Sequence, residues 1–341
     1  MSVIFLAKRL VHSVFVLLGL SIVIFLIARI VPGDPVRLAV GARAPQWVVD
    51  NMREHMHLNE PLHIQYGYWL RDALQGDFGI SLVTRRGVAK DIREFLPATF
   101  ELALYSLFIS VTGALSFGII SARYKDRWAD NVIRIFSYLG VVTPSFVFAI
   151  IFLLIFAFVL DWLPAIGRLS NGLTLPPRVT GMVTIDALLI GDFNVFWDAF
   201  KHIIMPALSL AMGSMAQEAR ITRASMADNL TKDYIASARA LGVSESLVMR
   251  RFLLKPSLIP TVSILGLDFA AGMGNAFLVE LIFNWPGLSR YGMNAMLSKD
   301  LNAISAVILT FGVVFVVVNI CVDIVVGQLD PRIRLSTAKG D

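Results

Sequence analysis

Long apolar runs alternate along this chain with shorter polar stretches. Six runs, residues 10–30, 100–122, 132–160, 203–221, 257–283 and 303–326, are long enough to cross a bilayer as helices, since about 20 apolar residues span the hydrocarbon. The third and fifth are longer than a perpendicular crossing needs, so they must tilt, kink or continue outside the bilayer. Pro144 and Pro260 mark the expected kinks. Gly266, Gly272 and Gly274 in the fifth run allow close helix approach. The first run follows Lys8 and Arg9, exceeds a typical signal-peptide core and leads into no small-residue cleavage site. It reads as a retained membrane anchor.

Composition agrees with that pattern. Of 341 residues, 56% are hydrophobic and 16% charged, against about 25% charged in soluble domains. The chain reads as an all-α membrane protein. Its net charge of +5 does not indicate a nucleic-acid binder, because the basic residues sit between apolar spans without aromatic stacking partners. A single cysteine, Cys321, excludes a disulfide framework or a thiolate metal cluster.

Lysines and arginines set the orientation. Lys8 and Arg9, the Arg123–Lys125–Arg127 loop with Arg134, the loop from Arg223 to Lys255, and Arg332, Arg334 and Lys339 all fall on one side if there are six spans. That side is the cytoplasm, with both termini inside. The predicted organisation is a first transmembrane helix (1–30), an extracytoplasmic helical elaboration (31–99) and a core (100–341). The core carries five spans, an outer loop at 161–202 and a cytoplasmic loop at 228–256. The elaboration balances eight basic against eight acidic residues, and long loops translocate largely regardless of charge. Residues 46–76 look helical and partly amphipathic, marked by Trp47, Met52, Leu58, Leu62, Tyr66, Trp69, Leu70 and Leu74. The outer loop, rich in Gly, Pro and Asp, yields no structural reading. No internal repeat is evident.

The cytoplasmic loop is a basic, amphipathic island. Tyr234, Ile235, Ala238 and Leu241 share one helical face. Gly242 suits the left-handed position that ends a helix, and Ser244 suits the N-cap of a second one. Glu245 near its start and Arg250, Arg251 and Lys255 near its end match the helix dipole. Pro256 can begin the next span. Such a helix can lie on anionic lipid or dock on a protein. Ala236, Ser237, Ala238 and Ala240 suit close approach to a protein better than lipid anchorage.

This segment resembles the "EAA" loop of ABC-transporter permeases, in the pattern Tyr234-Ile235-x-x-Ala238-Arg239-Ala240-x-Gly242. The whole chain resembles the dipeptide/oligopeptide importer permease family. Pro32-Gly33-Asp34-Pro35, Gly76-Asp77-Phe78-Gly79-Ile80-Ser81-Leu82, Leu96-Pro97-Ala98-Thr99-Phe100-Glu101-Leu102, Asn284-Trp285-Pro286-Gly287-Leu288 and Leu329-Asp330-Pro331-Arg332-Ile333-Arg334 carry the likeness in order. Ala236 stands where the general pattern has Glu, and residues 161–202 align with nothing in it.

The resemblance implies six transmembrane helices, N-in/C-in, in the type I ABC importer permease fold with a cytoplasmic coupling helix. It implies ATPase-coupling roles for Tyr234, Ile235, Ala238, Arg239, Ala240, Leu241, Gly242 and Glu245. The chain has no G-x-x-x-x-G-K-[ST] and so no phosphate cradle of its own. ATP and magnesium would be bound by two cytoplasmic ABC ATPase subunits. A homologous second permease and an extracytoplasmic substrate-binding protein would complete the assembly in lipid of a bacterial inner membrane. The chain itself would be no enzyme and hold neither cofactor nor metal. Peptides are the implied cargo, with a nickel chelate or glutathione as alternatives. An ATP-independent secondary transporter would want an internal repeat and leave the cytoplasmic helices without purpose. No H-E-x-x-H or G-x-S-x-G supports an intramembrane enzyme.

Ionisable residues within spans are functional candidates. Asp268, Asn275 and Glu280 are the candidate substrate path; Asp268 can meet an amino group of the cargo or bond a neighbouring helix. Glu101 and Glu280, near outer span ends, read as structural or gating. Asn319 and Asp323 share a face that pairs with another helix. Glu218, Arg220 and Arg223 read as an interfacial salt-bridge cluster. His12 and His202 have no second ligand at metal spacing.

Overall fold

The computed structural model describes residues 3–30, 36–37, 41, 43–55 and 57–329, all in helices, turns and loops apart from one isolated β-bridge, Ile80 to Gly87. The Pro32–Pro35 motif and the last five residues of the closing motif lie outside the described residues. Helix α1 (Val3–Ile30) is followed by two short helices, α2 (Gln46–His55) and α3 (Leu62–Leu74), in the segment expected to be helical. Three features seat α3 on the end of α1. The Phe25 ring lies 5.4 Å from Tyr66 and 5.8 Å from Trp69, and the Ser21 and Tyr66 hydroxyls are 2.8 Å apart. Trp47, Leu62 and Leu74 stay exposed.

Helices α4 (Val88–Arg123) and α8 (Phe193–Leu230) form the centre of the molecule. Each extends well beyond its predicted span. At about 1.5 Å per residue, α8, with 38 residues, is almost twice as long as a hydrocarbon core is thick. Hydropathy locates only the lipid-facing middle of such a helix. A boundary at residue 100 therefore falls inside α4, and the last ten residues assigned to the outer loop are the first turns of α8.

The third span is broken, not kinked. Helices α5 (Trp128–Val142) and α6 (Ser145–Phe152), the latter continued by a π-helical stretch Leu153–Val159, meet at 108°. Thr143 is extended (φ −84°, ψ 123°) and so is Pro144, because a proline forces its predecessor out of the helical region. The chain thus has five helices of spanning length among the described residues, and six spans if the bent pair counts as one.

The outer loop is folded. It contains α7 (Val183–Ile190), which ends at left-handed Gly191. Asp192 then caps α8 by accepting from Val195 N at 3.0 Å. Asp186 accepts from the Thr180 hydroxyl and N–H, both at 2.7 Å, and from Gly181 N at 2.9 Å. Glu101 of α4, fully buried, accepts from Thr184 N and Oγ1 at 2.7 Å and from Arg168 at 2.5 Å.

On the opposite side a short helix α9 (Asp233–Ala240) turns through Gly242 into α10 (Glu245–Leu247), a π-helical stretch Val248–Leu254 and α11 (Lys255–Asn275). The expected second helix does not end before the span; it is the span's first part, continuous with it from Glu245. Pro256 has no N–H for the Phe252 carbonyl, and the turns just before it are the ones wound wide. Pro260 lies inside α11 without breaking it. Then come α12 (Phe277–Ile282), α13 (Leu288–Leu297) and α14 (Leu301–Leu329). Asp323 of α14 pairs with Arg9 of α1 at 2.9 Å, as its helix face suggested, whereas Asn319 bonds only its own helix, at Phe315 O.

Small residues set the helix spacing. A Cβ on Gly118 of α4 would come within 2.7 Å of Thr222 of α8, and one on Gly140 of α5 within 2.6 Å of the Ala216 Cβ. In α11, Gly266 is pressed against Val322, but Gly272 and Gly274 face open space, so only one of the three expected contact glycines makes a contact.

Gly140→Val should overpack α5 against α8 and cost about 1–3 kcal/mol, read as a lower thermal midpoint. Gly19→Ala, with nothing within 4 Å of the added carbon, should be neutral or stabilising by helix propensity. The loop carries a pH dependence. Burial pushes Asp186 up, but the Thr180 hydroxyl and the backbone N–H groups of Thr180, Gly181 and Val179 outweigh it and hold the carboxyl below its usual range. Its stabilisation is complete above the unfolded value of about 4 and is lost as pH falls through the lower folded value. Hydrogen exchange at residues 179–187, corrected for intrinsic rate, should rise on acidification below that point. In Asp186→Asn it should be high already at neutral pH.

Candidate functional site

Two places gather the residues of interest, a cavity among the spanning helices and the hairpin formed by α9 and α10. The cavity, about 250 Å³, is lined by α4, the α5–α6 break, α8 and α11. Each long helix contributes a polar stripe at helical spacing. Ser106 and Ser110 come from α4; Gly213, Ser214, Gln217 and Glu218 from α8; Asp268, Gly272 and Asn275 from α11. Intervals of three and four put these side chains on one face, and the apolar remainder of each helix faces its neighbours or lipid. The break at Pro144 places Val141 and Ser145 at the cavity edge.

Of the three path residues expected, Asp268 and Asn275 line this cavity. Glu280 does not. It is fully buried in an outer cap, where it accepts from Thr99 Oγ1 at 2.5 Å and Arg290 N at 2.7 Å. Glu101 is likewise structural, through Arg168 and Thr184.

This cap interlocks the two sequence motifs Leu96–Leu102 and Asn284–Leu288. Trp285 Nε1 donates to Ala98 O at 2.9 Å, and Leu288 N donates to Thr99 Oγ1 at 2.7 Å. The Arg168 guanidinium covers the Trp285 ring at 5.3 Å. Gly287 is required by contact, since a Cβ there would overlap the Glu280 carboxylate. The Gly76–Leu82 motif is held similarly: buried Asp300 accepts from Ser81 Oγ and Leu82 N, each at 2.6 Å.

Glu218 is the site residue that charge spacing misplaced. It does not join Arg220 and Arg223. Arg223 is bound through Nε and Nη2, both at 2.6 Å, to buried Asp130 at the start of α5. Glu218 instead points into the cavity, fully buried, with Oε2 accepting from Ser110 Oγ at 2.6 Å and Oε1 without a partner. Asp268 Oδ2 is also buried and unpartnered. The lining includes no Lys, Arg or His. The periodic polar stripes were the available signal for Glu218, Gln217 and the serines. Among the described residues no cluster of three His, Cys, Asp or Glu suits a metal. His202 Nδ1 is satisfied by Asp198, 2.8 Å from its carbonyl.

In the hairpin the four residues expected on one face divide. Ile235 and Ala238 are buried with Ala122, Met226, Val248 and Leu253, whereas Tyr234 is 42% and Leu241 83% exposed. Tyr234 donates through its hydroxyl to Asn229 Oδ1 at 3.0 Å. Ala240 is exposed too. Gly242 takes the left-handed conformation (φ 74°), with Val243 N to Ala238 O at 3.1 Å and Gly242 N to Arg239 O at 3.0 Å. These two bonds are the Schellman closure of a helix. Ser244 occupies the N-cap position of α10, but its side chain makes no cap bond. Arg239 bridges to Glu245 with two guanidinium nitrogens, Nη2 at 2.6 Å and Nε at 3.1 Å, tying α9 to α10. Beside them a groove of about 540 Å³ is lined by Arg123, Glu245, Met249 and Arg250, among others.

Residues 114–335 match the family model "Binding-protein-dependent transport system inner membrane component", and residues 2–103 match its N-terminal companion. The chain is 36% identical over 320 residues to the probable D,D-dipeptide transport system permease protein DdpB of Escherichia coli K12, covering 94% of each chain. It is 35% identical over 327 residues to the dipeptide transport system permease protein DppB of Alkalihalophilus pseudofirmus, covering 96% of this chain and 98% of the relative. It is 33% identical to the glutathione transport system permease protein GsiC of E. coli K12, covering 96% and 97%. Matched along nearly its whole length, this all-helical chain belongs to the inner-membrane components of binding-protein-dependent transport systems, as a multi-pass permease subunit.

Proposed function

We propose that this chain forms half of the translocation path of an ATP-driven importer of di- or oligopeptides. Two separate ATPase subunits drive it through the α9–α10 hairpin. A second, homologous permease completes the path, and an extracytoplasmic binding protein delivers the cargo. Relatives named for dipeptide, D,D-dipeptide and glutathione transport support a peptide-like solute. Glutathione is the second reading, on the strength of the last.

The observation that carries the coupling mechanism is the division of the hairpin into a buried and an exposed side. Ile235 and Ala238 root α9 in the permease, while Tyr234 and Leu241 project from it. The Schellman turn and the Arg239–Glu245 bridge join α9 rigidly to the helix that begins at Glu245. That helix continues without interruption to Asn275 and lines the cavity with Asp268 and Asn275. A push on Leu241 by a closing ATPase pair is therefore transmitted along one helix to the path. Alternating access is the two-state response of helices packed in this way. ATP and magnesium chemistry resides in the partners; this chain supplies the lever and the channel wall.

Leu241→Asp should leave the permease folded and assembled in the membrane. ATP hydrolysis stimulated by the loaded binding protein, measured on the reconstituted complex, should fall at least tenfold. Stimulation at the wild-type level would remove the hairpin from the coupling role. Ile235→Ala should weaken the hairpin itself, by about 2–4 kcal/mol, and speed hydrogen exchange at residues 233–242; Leu241→Ala should leave that exchange unchanged. Parallel uptake of a labelled dipeptide and of labelled glutathione into proteoliposomes decides between the two cargo readings.

A further inference from the structure

The cavity holds two carboxyl groups and no fixed cation. Glu218 is fully buried, and its Oε1 has no partner. Asp268 Oδ2, from a different helix, is buried and unpartnered on the same cavity. Elsewhere among the described residues, buried acids are satisfied by several donors or by arginine: Asp130 by Arg223 and Ser121, Glu101 by Arg168 and Thr184, Asp300 by Ser81 and the backbone at Leu82, and Glu280 by Thr99 and Arg290 N. Buried polar groups are normally hydrogen-bonded, and an exception calls for a ligand or a functional reason. The surrounding Ser106, Ser214, Gln217 and Asn275 add neutral donors and acceptors, the mixture that suits an ammonium group with an adjoining peptide bond.

We propose that Glu218 and Asp268 form a recognition site in the translocation cavity for a protonated primary amine of the transported solute. The inference rests on the peptide-importer reading and refines it: the amine is the amino terminus of the peptide or a lysine-like side chain. The two carboxylates sit on α8 and α11, and α11 is the far end of the lever that starts at the hairpin. Rotating α11 moves Asp268 relative to Glu218, so the site is complete in one packing and divided in the other. Cargo is thereby held and then released. Discrimination against solutes lacking the amine follows from the same two residues, because such a solute leaves Glu218 Oε1 and Asp268 Oδ2 without a partner.

The test uses the assembled transporter in lipid nanodiscs and saturation-transfer NMR with three small probes. Alanyl-alanine offers a terminal amine, N-acetyl-lysine amide only a side-chain amine, and N-acetyl-alanine amide none. The wild-type complex should give saturation transfer to one or both amines, the stronger naming the source, and at least fivefold less to the third. Glu218→Gln combined with Asp268→Asn should abolish the difference, and Glu218→Asp with Asp268 intact, which keeps both carboxyl groups, should retain at least half of it. An unchanged thermal midpoint and unchanged assembly with the partner subunits in the nanodisc show that the double variant is folded. Equal signals from all three probes, or an amine preference that survives the double variant, overturns the site. If neither peptide-like amine binds but ethylammonium does, and the double variant loses it, the peptide reading fails and the carboxylate site stands. If ethylammonium fails as well, the site is overturned.

Discussion

Everything in this molecule hangs on the close contact between α4 and α8. In lipid, helices gain little from burying apolar surface against one another, so association rests on packing and polar contacts. Glycines and alanines supply that packing here: Gly113 seats against Met215, Gly118 against Thr222, and Gly140 of α5 against Ala216 on the same long helix. With α4 and α8 this close, the serines of one helix reach the carboxylate of the other, as Ser110 reaches Glu218. The same two helices are longer than a hydrocarbon core is thick. One end of the pair carries the cap and the other braces the hairpin, through Ala122 and Met226.

The buried acids divide into two populations, one that ties the scaffold together and one at the cavity. Those of the cap and loops are saturated with donors. Each joins segments distant in sequence: Glu280 with Thr99, Glu101 with Arg168, Asp300 with Ser81, Asp130 with Arg223. An isolated charge is expensive in low dielectric, and removing one partner from such a pair is costly, so these acids bind the layers into one register. The acids of the cavity are left partly unsatisfied. The recognition site proposed above gives a reason to tolerate that cost, because a cavity whose groups are all satisfied internally offers nothing to a ligand.

The third span and the fifth are built to respond differently. At Pro144 the chain turns through 108°, opening a gap that the cavity uses. At Pro256 and Pro260 the helix survives, with π-wound turns just before Pro256. A continuous rod from Glu245 to Asn275 can carry motion, and a broken one can make room for it.

Much of this was legible in the residues. Spans and the all-α class follow from where apolar runs fall, because a bilayer admits only internally bonded helices of a certain length. The left-handed Gly242 and the end of α9 there follow from local backbone chemistry alone. Helix ends outside the hydrocarbon did not, since hydropathy is silent where a helix leaves lipid. Nor could it show that Tyr234 and Leu241 face outward while Ile235 is buried, or that Glu218 turns from Arg223 toward Asp268. Composition and periodicity determined which segments are helices and which faces are polar. Only the tertiary packing decided which polar face meets which, because the rotation of a helix about its axis is chosen by the neighbours against which its small residues fit.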